Sequence, residues 1–465
     1  MRKKITEHTV LFISIVKWVV LATIVGAVVG LSTAAFLEAL SWATGRMSLH
    51  AYSFLFLPVA FFASSLLVKT LAPDAEGHGT EKVIEAIHKS SGKIPLMVVP
   101  VKLVATVITL ATGGSAGKEG PCAQIGAGLA SLFADIVRFE DSDRKKLVIC
   151  GVSAGFAAVF GTPIAGSIFG VEVLFVGAIL YDVLLPSFIA GITAYQISAA
   201  LGVTYFHQPI NFVPAFSEGF LAIVIVAGIF FGLCSWLLIE ALELGERLSG
   251  KLRMWAPLKG LVGGAVMVVL ALVFSTRYLG LGLTTIEACL RGESVEWYAF
   301  LLKPVFTSLT LAFGGSGGIV TPIFFMGATA GAFFAMMTGL NVATFSAIGL
   351  SSVLAGAANT PIAASIMSVE LFGPQLAPYA TVACVISFLM TGHHSVYPSQ
   401  ILSMKKSASL QVTLGGNMDD VETNYEPHAK SLSGAISNLI WRLVQAVKWI
   451  FSRSSRPNDS DNTKE

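Results

Sequence analysis

Apolar residues in this chain gather into blocks, many of them about 18 residues or longer, the length an α-helix needs to cross a hydrocarbon layer about 30 Å thick. The blocks run roughly over residues 17–40, 53–72, 97–112, 121–138, 147–173, 178–202, 216–241, 256–276, 297–313, 322–341, 345–372 and 376–391. Inside a bilayer such segments satisfy their backbone polar groups as helices, so an all-α, polytopic membrane protein is expected. Composition agrees. Of 465 residues, 54% are hydrophobic and 12% charged, about half the charged share of a soluble domain, and mean hydropathy is +0.75. These values exclude a soluble enzyme, a disordered protein and a disulfide scaffold. The roughly 10-residue alternation of outer-membrane barrel strands is absent. A net charge of +2, from 30 basic and 28 acidic residues, carries no signal for nucleic acid.

The five cysteines, Cys122, Cys150, Cys234, Cys289 and Cys384, lie in or beside apolar segments and form no CxxC or Cys/His cluster. They read as small buried hydrophobes, and no metal or cofactor is expected. Met1-Arg-Lys-Lys4 opens like a signal peptide, but the apolar stretch from about Trp18 to Leu40 is too long for the core of one and should remain as a membrane helix. Short basic links recur at Arg2/Lys3/Lys4, Lys82/Lys89/Lys93, Arg144/Lys145/Lys146, Lys251/Arg253 and Lys405/Lys406. Such loops prefer the cytoplasm, which puts both termini and the 141–146 loop there in a multi-pass protein of the cell inner (plasma) membrane. After about Ser399 the chain turns polar, and residues 412–430 read as irregular. Apolar residues then recur every three or four positions from Leu432 to Phe451, with Arg442, Gln445 and Lys448 between them. An amphipathic helix over about 431–452, lying on membrane lipids, is expected; a partner-binding helix is the alternative.

The chain also repeats itself. Residues 102–121 read KLVATVITLATGGSAGKEGP, and residues 303–322 read KPVFTSLTLAFGGSGGIVTP. At an offset of 201 they share Lys102/Lys303, Thr106/Thr307, Thr109/Thr310, Leu110/Leu311, Ala111/Ala312, Gly113/Gly314, Gly114/Gly315, Ser115/Ser316, Gly117/Gly318 and Pro121/Pro322, ten identities in 20 positions. Residues 162–172, TPIAGSIFGVE, match 360–370, TPIAASIMSVE, at an offset of 198. Composition bias does not supply the shared Lys, Thr, Pro and Glu. Two matches in the same order divide the membrane part into related repeats, 1–210 and 211–405, with 406–465 as a tail. Gly-interrupted apolar segments at matching positions of two repeats point to a transport site between them. Each break can present a helix N-terminus near mid-membrane, whose free N–H groups and positive dipole end attract an anion without a full charge. Hydropathy leaves parallel and inverted repeats both open, because broken helices hide the number of crossings.

Glu119 lies inside the first break, in Gly117-Lys118-Glu119-Gly120-Pro121, while Val320 stands at its place in the second. A carboxylate within apolar membrane segments is costly and points to function. The bland reading, a surface Glu in a loop, fits poorly with its long apolar flanks. At a helix N-terminus an ionised Glu119 competes with a permeant anion. Neutral, it swings away or takes a proton, so that one group is both gate and proton carrier.

Gly-Lys-Glu-Gly-Pro resembles the Gly-(Arg/Lys)-Glu-Gly-Pro motif of the CLC family of anion channels and proton-coupled anion transporters. Gly318-Ile319-Val320-Thr321-Pro322 is similar to that family's Gly-x-Phe-x-Pro motif, and Tyr397, in TGHHSVYPSQIL, falls where the family carries its ion-coordinating Tyr. The resemblance covers roughly residues 15–405. It implies two inverted structural repeats of tilted and broken helices, a homodimer with one pore per subunit, and Glu119 as the external gating glutamate.

Departures from the family's pattern bear on the anion. Where its first motif usually reads Gly-Ser-Gly-Ile-Pro, this chain has Gly77-His78-Gly79-Thr80-Glu81, so His78 replaces the chloride-holding Ser. Val320 replaces the Phe of the third motif. Val173, after Glu172, stands where proton-coupled chloride transporters carry a second, internal Glu. These departures resemble the fluoride-exporting branch found in bacteria. Fluoride export in exchange for protons is therefore expected, with a passive chloride channel or a chloride/proton exchanger as alternatives. Fluoride is a small, strong hydrogen-bond acceptor and calls for close donors. The anion site is expected among Gly79, Gly117, Lys118, Gly120, Gly318, Ile319 and Val320, the hydroxyls of Thr321 and Tyr397, and His78. His78 lines the inner anion path or caps a helix, and as a ring titrating near neutral pH it is a candidate proton relay. Tyr397 also reads as a plain interfacial aromatic, and Lys118 as a source of positive potential. Glu172 and Glu370, a symmetric pair, are expected to bond backbone at helix ends. Lys102 and Lys303 are expected to snorkel or to cap a helix C-terminus. A membrane-embedded enzyme would need a nucleophile–base pair or a metal cluster, and the polar residues suggest neither.

Overall fold

Proline and glycine cut the apolar blocks into more helices than there are blocks. The computed structural model describes residues 2–210, 212, 214, 217–425 and 442. The earlier part of the chain forms α1 (Arg2–Ser48), α2 (Leu57–Leu71), α3 (Thr80–Lys89), α4 (Val98–Ala111), α5 (Glu119–Val137), α6 (Asp141–Phe160), α7 (Pro163–Glu172) and α8 (Tyr181–Ala200). The later part forms α9 (Glu218–Lys251), α10 (Ala256–Val273), α11 (Leu283–Leu290), α12 (Ala299–Ala312), α13 (Val320–Thr338), α14 (Val342–Ala358), α15 (Pro361–Phe372) and α16 (Ala377–Met390). The segments read as continuous over 147–173 and 345–372 each break in two, at Gly161-Thr162-Pro163 and Asn359-Thr360-Pro361. Gly161 and Asn359 take the left-handed conformation, φ +72° and +56°, which ends α6 and α14. The proline that follows opens the next helix, where its missing N–H costs nothing. α1 begins at Arg2, well ahead of its apolar residues. Among the described residues, seven helices are long and apolar enough to cross a membrane.

Helices correspond across the two repeats. The starts of α10 to α16 follow those of α2 to α8 by 199, 203, 201, 201, 201, 198 and 196 residues. The repeats are inverted. α1 and α8 run side by side in one direction, Gly26 on Ala190 and Gly30 on Ala194. At one face Lys17 reaches Asp143 and Lys146 reaches Asp182, and the turn after α3 abuts Lys145 and Val148. At the opposite face the end of α1 and residues 201–204 line a cleft with Lys118. α9, the counterpart of α1, points the other way: its last residues, Glu246 to Gly250, share a cavity with the start of α3 on the first face.

Lipid covers apolar surface as well as protein does, so helices in a bilayer associate through close packing, which small residues permit. Both repeats use the same device. Gly126 of α5 meets Gly151 of α6, and Gly327 of α13 meets Gly349 of α14, backbone against backbone. Phe12, Val226 and Leu272 are exposed on the outer helices, as lipid-facing residues should be. All five cysteines are buried and free, in keeping with their reading as small hydrophobes.

The described residues 406–425 pack on the membrane part. Phe175–Val176 (β1) pairs in parallel with Ile401–Leu402 (β2), and Leu410–Gln411 (β3) pairs antiparallel with Asn424–Tyr425 (β4). Leu402, Val412 and Met418 cluster with Val176 and Phe388, and the Lys406 ammonium donates to the Phe388 carbonyl at 2.7 Å. The amphipathic helix expected over 431–452 lies outside the described residues.

Candidate functional site

The two Gly-rich breaks meet and bond each other through residues that the repeats have in common. The Thr310 hydroxyl accepts the Ser115 N–H at 3.0 Å, and Thr109 accepts the Ser316 N–H at 2.9 Å. The hydroxyls of Ser115 and Thr307, and of Thr106 and Ser316, lie 3.1 Å apart. Gly117 and Gly318 then exchange N–H···O bonds of 2.7 and 2.6 Å. Each contact occurs twice, once on either side of a pseudo-two-fold axis. The exchange corrects one expectation. Gly117 and Gly318 use their N–H groups on each other, so they fasten the breaks together and leave no N–H for an anion. Lys102 and Lys303 meet the second of their two expectations, each capping the C-terminus of a short 3-10 helix, Pro73–Ala75 and Thr276–Tyr278. Both are fully buried rather than snorkelling. Lys102 Nζ donates to the carbonyls of Ala75 (3.1 Å) and Gly77 (2.6 Å), and Lys303 Nζ to those of Tyr278 (3.1 Å) and Gly280 (2.7 Å). Lys102 thereby fixes the loop that carries His78.

Three helix N-termini converge beside the bridge: α5 at Glu119, α13 at Val320 and α3 at Thr80. Glycine makes the approach possible. A Cβ on Gly79 would stand 2.7 Å from the Gly120 carbonyl oxygen, and one on Gly318 would stand 2.7 Å from the Gly120 nitrogen. First-turn N–H groups have no acceptor within their own helix and carry the positive end of its dipole. The Glu119 carboxylate sits in this field, 1% exposed. Its Oε2 accepts the Thr321 N–H at 3.2 Å, and its Oε1 accepts the Thr321 hydroxyl. One repeat thus supplies the carboxylate and the other the donors. Ile319 and Val320 are buried at the start of α13. Lys118 lines, with Tyr205, His207 and Glu287, a cavity of about 430 Å³ that reaches Glu119 and Thr321 from the second face.

Toward the first face, Tyr397 is fully buried and its ring lies 5.5 Å, centroid to centroid, from that of His78. The Tyr397 hydroxyl, Thr80 Oγ1, His78 Nδ1 and Glu81 Oε2 are buried without a hydrogen-bond partner among the described residues. The hydroxyls of Thr80 and Tyr397 are close enough to act on one another, yet they form no bond of normal geometry. Buried polar atoms are ordinarily paired, so four together mark a place that can hydrogen-bond a polar guest. Thr80 escapes the sequence reading, which puts forward His78 and Gly79; the fold brings its hydroxyl to Tyr397. Burial, with Lys102 and Lys82 nearby, drives the His78 ring down to about 3. Burial and the two neighbouring lysines thus disfavour the charged ring that a proton relay would need.

A further set of side chains holds the Tyr397 loop. The Ser395 hydroxyl accepts the Tyr397 N–H at 2.9 Å, and Gln400 Nε2 donates to the carbonyls of Val173 (2.8 Å) and Ala358 (2.9 Å). Asn359 Nδ2 donates to the His394 carbonyl at 3.0 Å, and Lys406 Nζ to Asn359 Oδ1 at 2.7 Å. Isolated amides in apolar surroundings, Asn359 and Gln400, were the signal in the chain for this support. Glu172 and Glu370 behave as their symmetry suggests. Glu172 accepts the N–H groups of Ile362 (3.0 Å) and Ala363 (2.7 Å) at the start of α15, and Glu370 accepts those of Ile164 (3.0 Å) and Ala165 (2.8 Å) at the start of α7.

Inverted repeats joined at paired breaks, with helix N-termini gathered around a buried carboxylate, define a membrane protein of the anion-transport class. The chain belongs to the voltage gated chloride channel (CLC) family, whose model matches residues 59–392. It is 37% identical over 399 residues to a "Chloride/fluoride channel protein" of Pseudomonas syringae pv. tomato, covering 84% of this chain and 88% of that one. An H(+)/Cl(-) exchange transporter ClcA of Salmonella arizonae is 26% identical over 388 residues, covering 76% and 80%. Among solved structures, a CLC-type fluoride/proton antiporter matches with a TM-score of 0.79 at 30% identity, covering 83% of this chain and 98% of that chain. A slow cyanobacterial Cl-/H+ antiporter has the same fold, with a TM-score of 0.70 at 21% identity over 80% and 94% of the two chains. The family is one of channels and transporters, not of enzymes.

Proposed function

We propose that this protein exports fluoride from the cytoplasm in exchange for protons, with Glu119 as gate and proton carrier. The position of Glu119 carries the reading: its carboxylate takes both donors of Thr321 where three helix N-termini meet. An ionised carboxylate and a permeant anion compete there for the same donors. Protonated, the carboxyl binds them less strongly, lets go of Thr321, and takes its proton away as the anion enters. Exchange follows from that competition. The lining favours fluoride, since the hydroxyls of Thr321, Thr80 and Tyr397 and the first-turn N–H groups near Lys118, Gly120, Ile319 and Val320 can close on a small, strong acceptor. The fluoride named in a 37% identical relative and in a 30% identical solved structure supports the same anion. The first of those names also favours a second reading, a passive halide channel in which Glu119 gates without carrying protons.

The face bearing Lys17, Lys145 and Lys146 is read as cytoplasmic, in the inner membrane, because short basic loops stay inside. Glu119 is then reached from outside. The repeats divide near residue 210, and two chains form a homodimer with one pore each. Fluoride and chloride efflux from proteoliposomes, recorded with ion-selective electrodes while lumen pH is followed, tests the proposal. Faster fluoride than chloride efflux, coupled to lumen acidification, is the expected result, and Glu119→Gln, which mimics the protonated form, should abolish the coupling. Equal or chloride-favouring rates would remove the fluoride assignment. Proton pumping by the Gln variant would remove Glu119 as carrier, and wild-type fluoride flux without protons would leave the channel.

A further inference from the structure

A second buried carboxylate, Glu81, stands beside the site. Glu81, in the first turn of α3, accepts the Ser399 N–H at 2.9 Å through Oε1, which ties it to the loop of Tyr397. Its Oε2 is buried and has no hydrogen-bond partner among the described residues. With Gly77 and His78, Glu81 lines the first-face cavity of about 490 Å³. The Tyr397 hydroxyl lies within electrostatic reach of both Glu119 and Glu81. Val173, by contrast, is fully buried and carries no proton.

We infer that Glu81 is the inner proton acceptor of this transporter, taking the proton that Glu119 brings in and releasing it through the first-face cavity. The inference rests on the antiport reading above. In the transfer an O–H bond of the Glu119 carboxyl breaks and one forms on Glu81 Oε2, by way of the Tyr397 and Thr80 hydroxyls or of water. Glu119 is left ionised and rebinds the Thr321 donors. Glu81 then gives the proton to cavity water and is a carboxylate again. Lys82 and Glu85 neighbour it on α3, and His78 and Glu76 precede it. Glu243 and Glu246 of α9, Lys259 of α10 and Asp419 of the 3-10 turn Met418–Asp420 line the same cavity. Burial pushes the Glu81 carboxyl up to about 7, against the opposing Ser399 hydroxyl and N–H, with Glu85 adding to the rise and Lys82 opposing it. Near neutral pH the group is thus divided between its two forms, the condition for a group that must both take and give a proton.

Glu81→Gln keeps the shape and the acceptor for Ser399 but cannot titrate, whereas Glu81→Asp can. In proteoliposomes, with fluoride efflux and lumen pH recorded together, the Gln variant should move at least about tenfold fewer protons per fluoride, a modest share of what positioned acid–base groups contribute. Asp should restore most of the coupling. Wild-type proton delivery should fall as the pH on the Glu81 side drops through about 7, because the acceptor stays filled, and this inflection should be missing in the Gln variant. Wild-type coupling in the Gln variant overturns the assignment. So does a parallel loss of fluoride flux and thermal stability that Asp does not rescue, since that marks a structural carboxylate. If the Gln variant does not fold, a wild-type profile without the inflection overturns it. A wild-type protein that moves fluoride without protons removes the antiport reading, and this inference with it.

Discussion

Tyr397 and Thr80 separate binding from stability more cleanly than any other residues of the site. Their hydroxyls are buried and have no hydrogen-bond partner of normal geometry among the described residues, so removing either breaks no such bond within the protein. A hydrogen bond to a charged acceptor is worth roughly 1.5–3 kcal/mol, which corresponds to roughly 10- to 100-fold in affinity. Tyr397→Phe and Thr80→Val should each weaken fluoride binding by that factor in calorimetric titration, with melting temperatures in detergent at or above wild type. A lower melting temperature with wild-type transport per folded protein would make Tyr397 a structural anchor instead. Thr321→Val should behave differently. It removes a donor that Glu119 uses, so anion affinity and throughput should both fall and the resting position of the carboxylate should loosen with them.

At the level of helices, the two-fold exchange of carboxylates is the feature most open to test. Glu172 closes the N-terminus of α15 and Glu370 that of α7, each across the boundary between the repeats. A charged group bonded to first-turn N–H groups gains both hydrogen bonds and the helix dipole. Glu172 is 5% exposed while Glu370 is only part-buried, so the inner cap should matter more. Glu172→Ala should cost about 2 kcal/mol in thermal unfolding, within the range of lost caps, and Glu370→Ala distinctly less. Transport per folded molecule should change little in either. An equal or larger loss at Glu370 would show that exposure does not scale these caps.

Considered as a whole molecule, one chain brings Glu119 of one repeat to Thr321 of the other, with Tyr397 buried nearby, so the proposed site is built within a single chain. Subunits of the proposed homodimer should therefore work independently. Mixed dimers with a single Glu119→Gln subunit should retain half the proton-coupled flux of wild type. Complete loss of coupling in such dimers would mean that the subunits share one pathway.

Several of these features are legible along the chain. Apolar block length gives the membrane class, the offset of 201 gives the repeats, and Glu119 stands out because a carboxylate in apolar surroundings is costly. Such signals are local or come from direct identity, so they survive in one dimension. Others depend on which surfaces meet after the helices pack, and packing in a bilayer rests on small residues with little pattern of their own. Gly117 and Gly318 look like anion donors until their N–H groups are seen to pair. Lys102 reads equally as a snorkelling side chain or a helix cap, and only the fold shows it bonded to two carbonyls 25 and 27 residues earlier. Thr80 and Glu81 close the first motif at the start of a short amphipathic helix, and gain their meaning from Tyr397 and Ser399, more than 300 residues away. Contacts over that separation are made by the fold, because the free energy that holds them belongs to the packed helices and not to any segment alone.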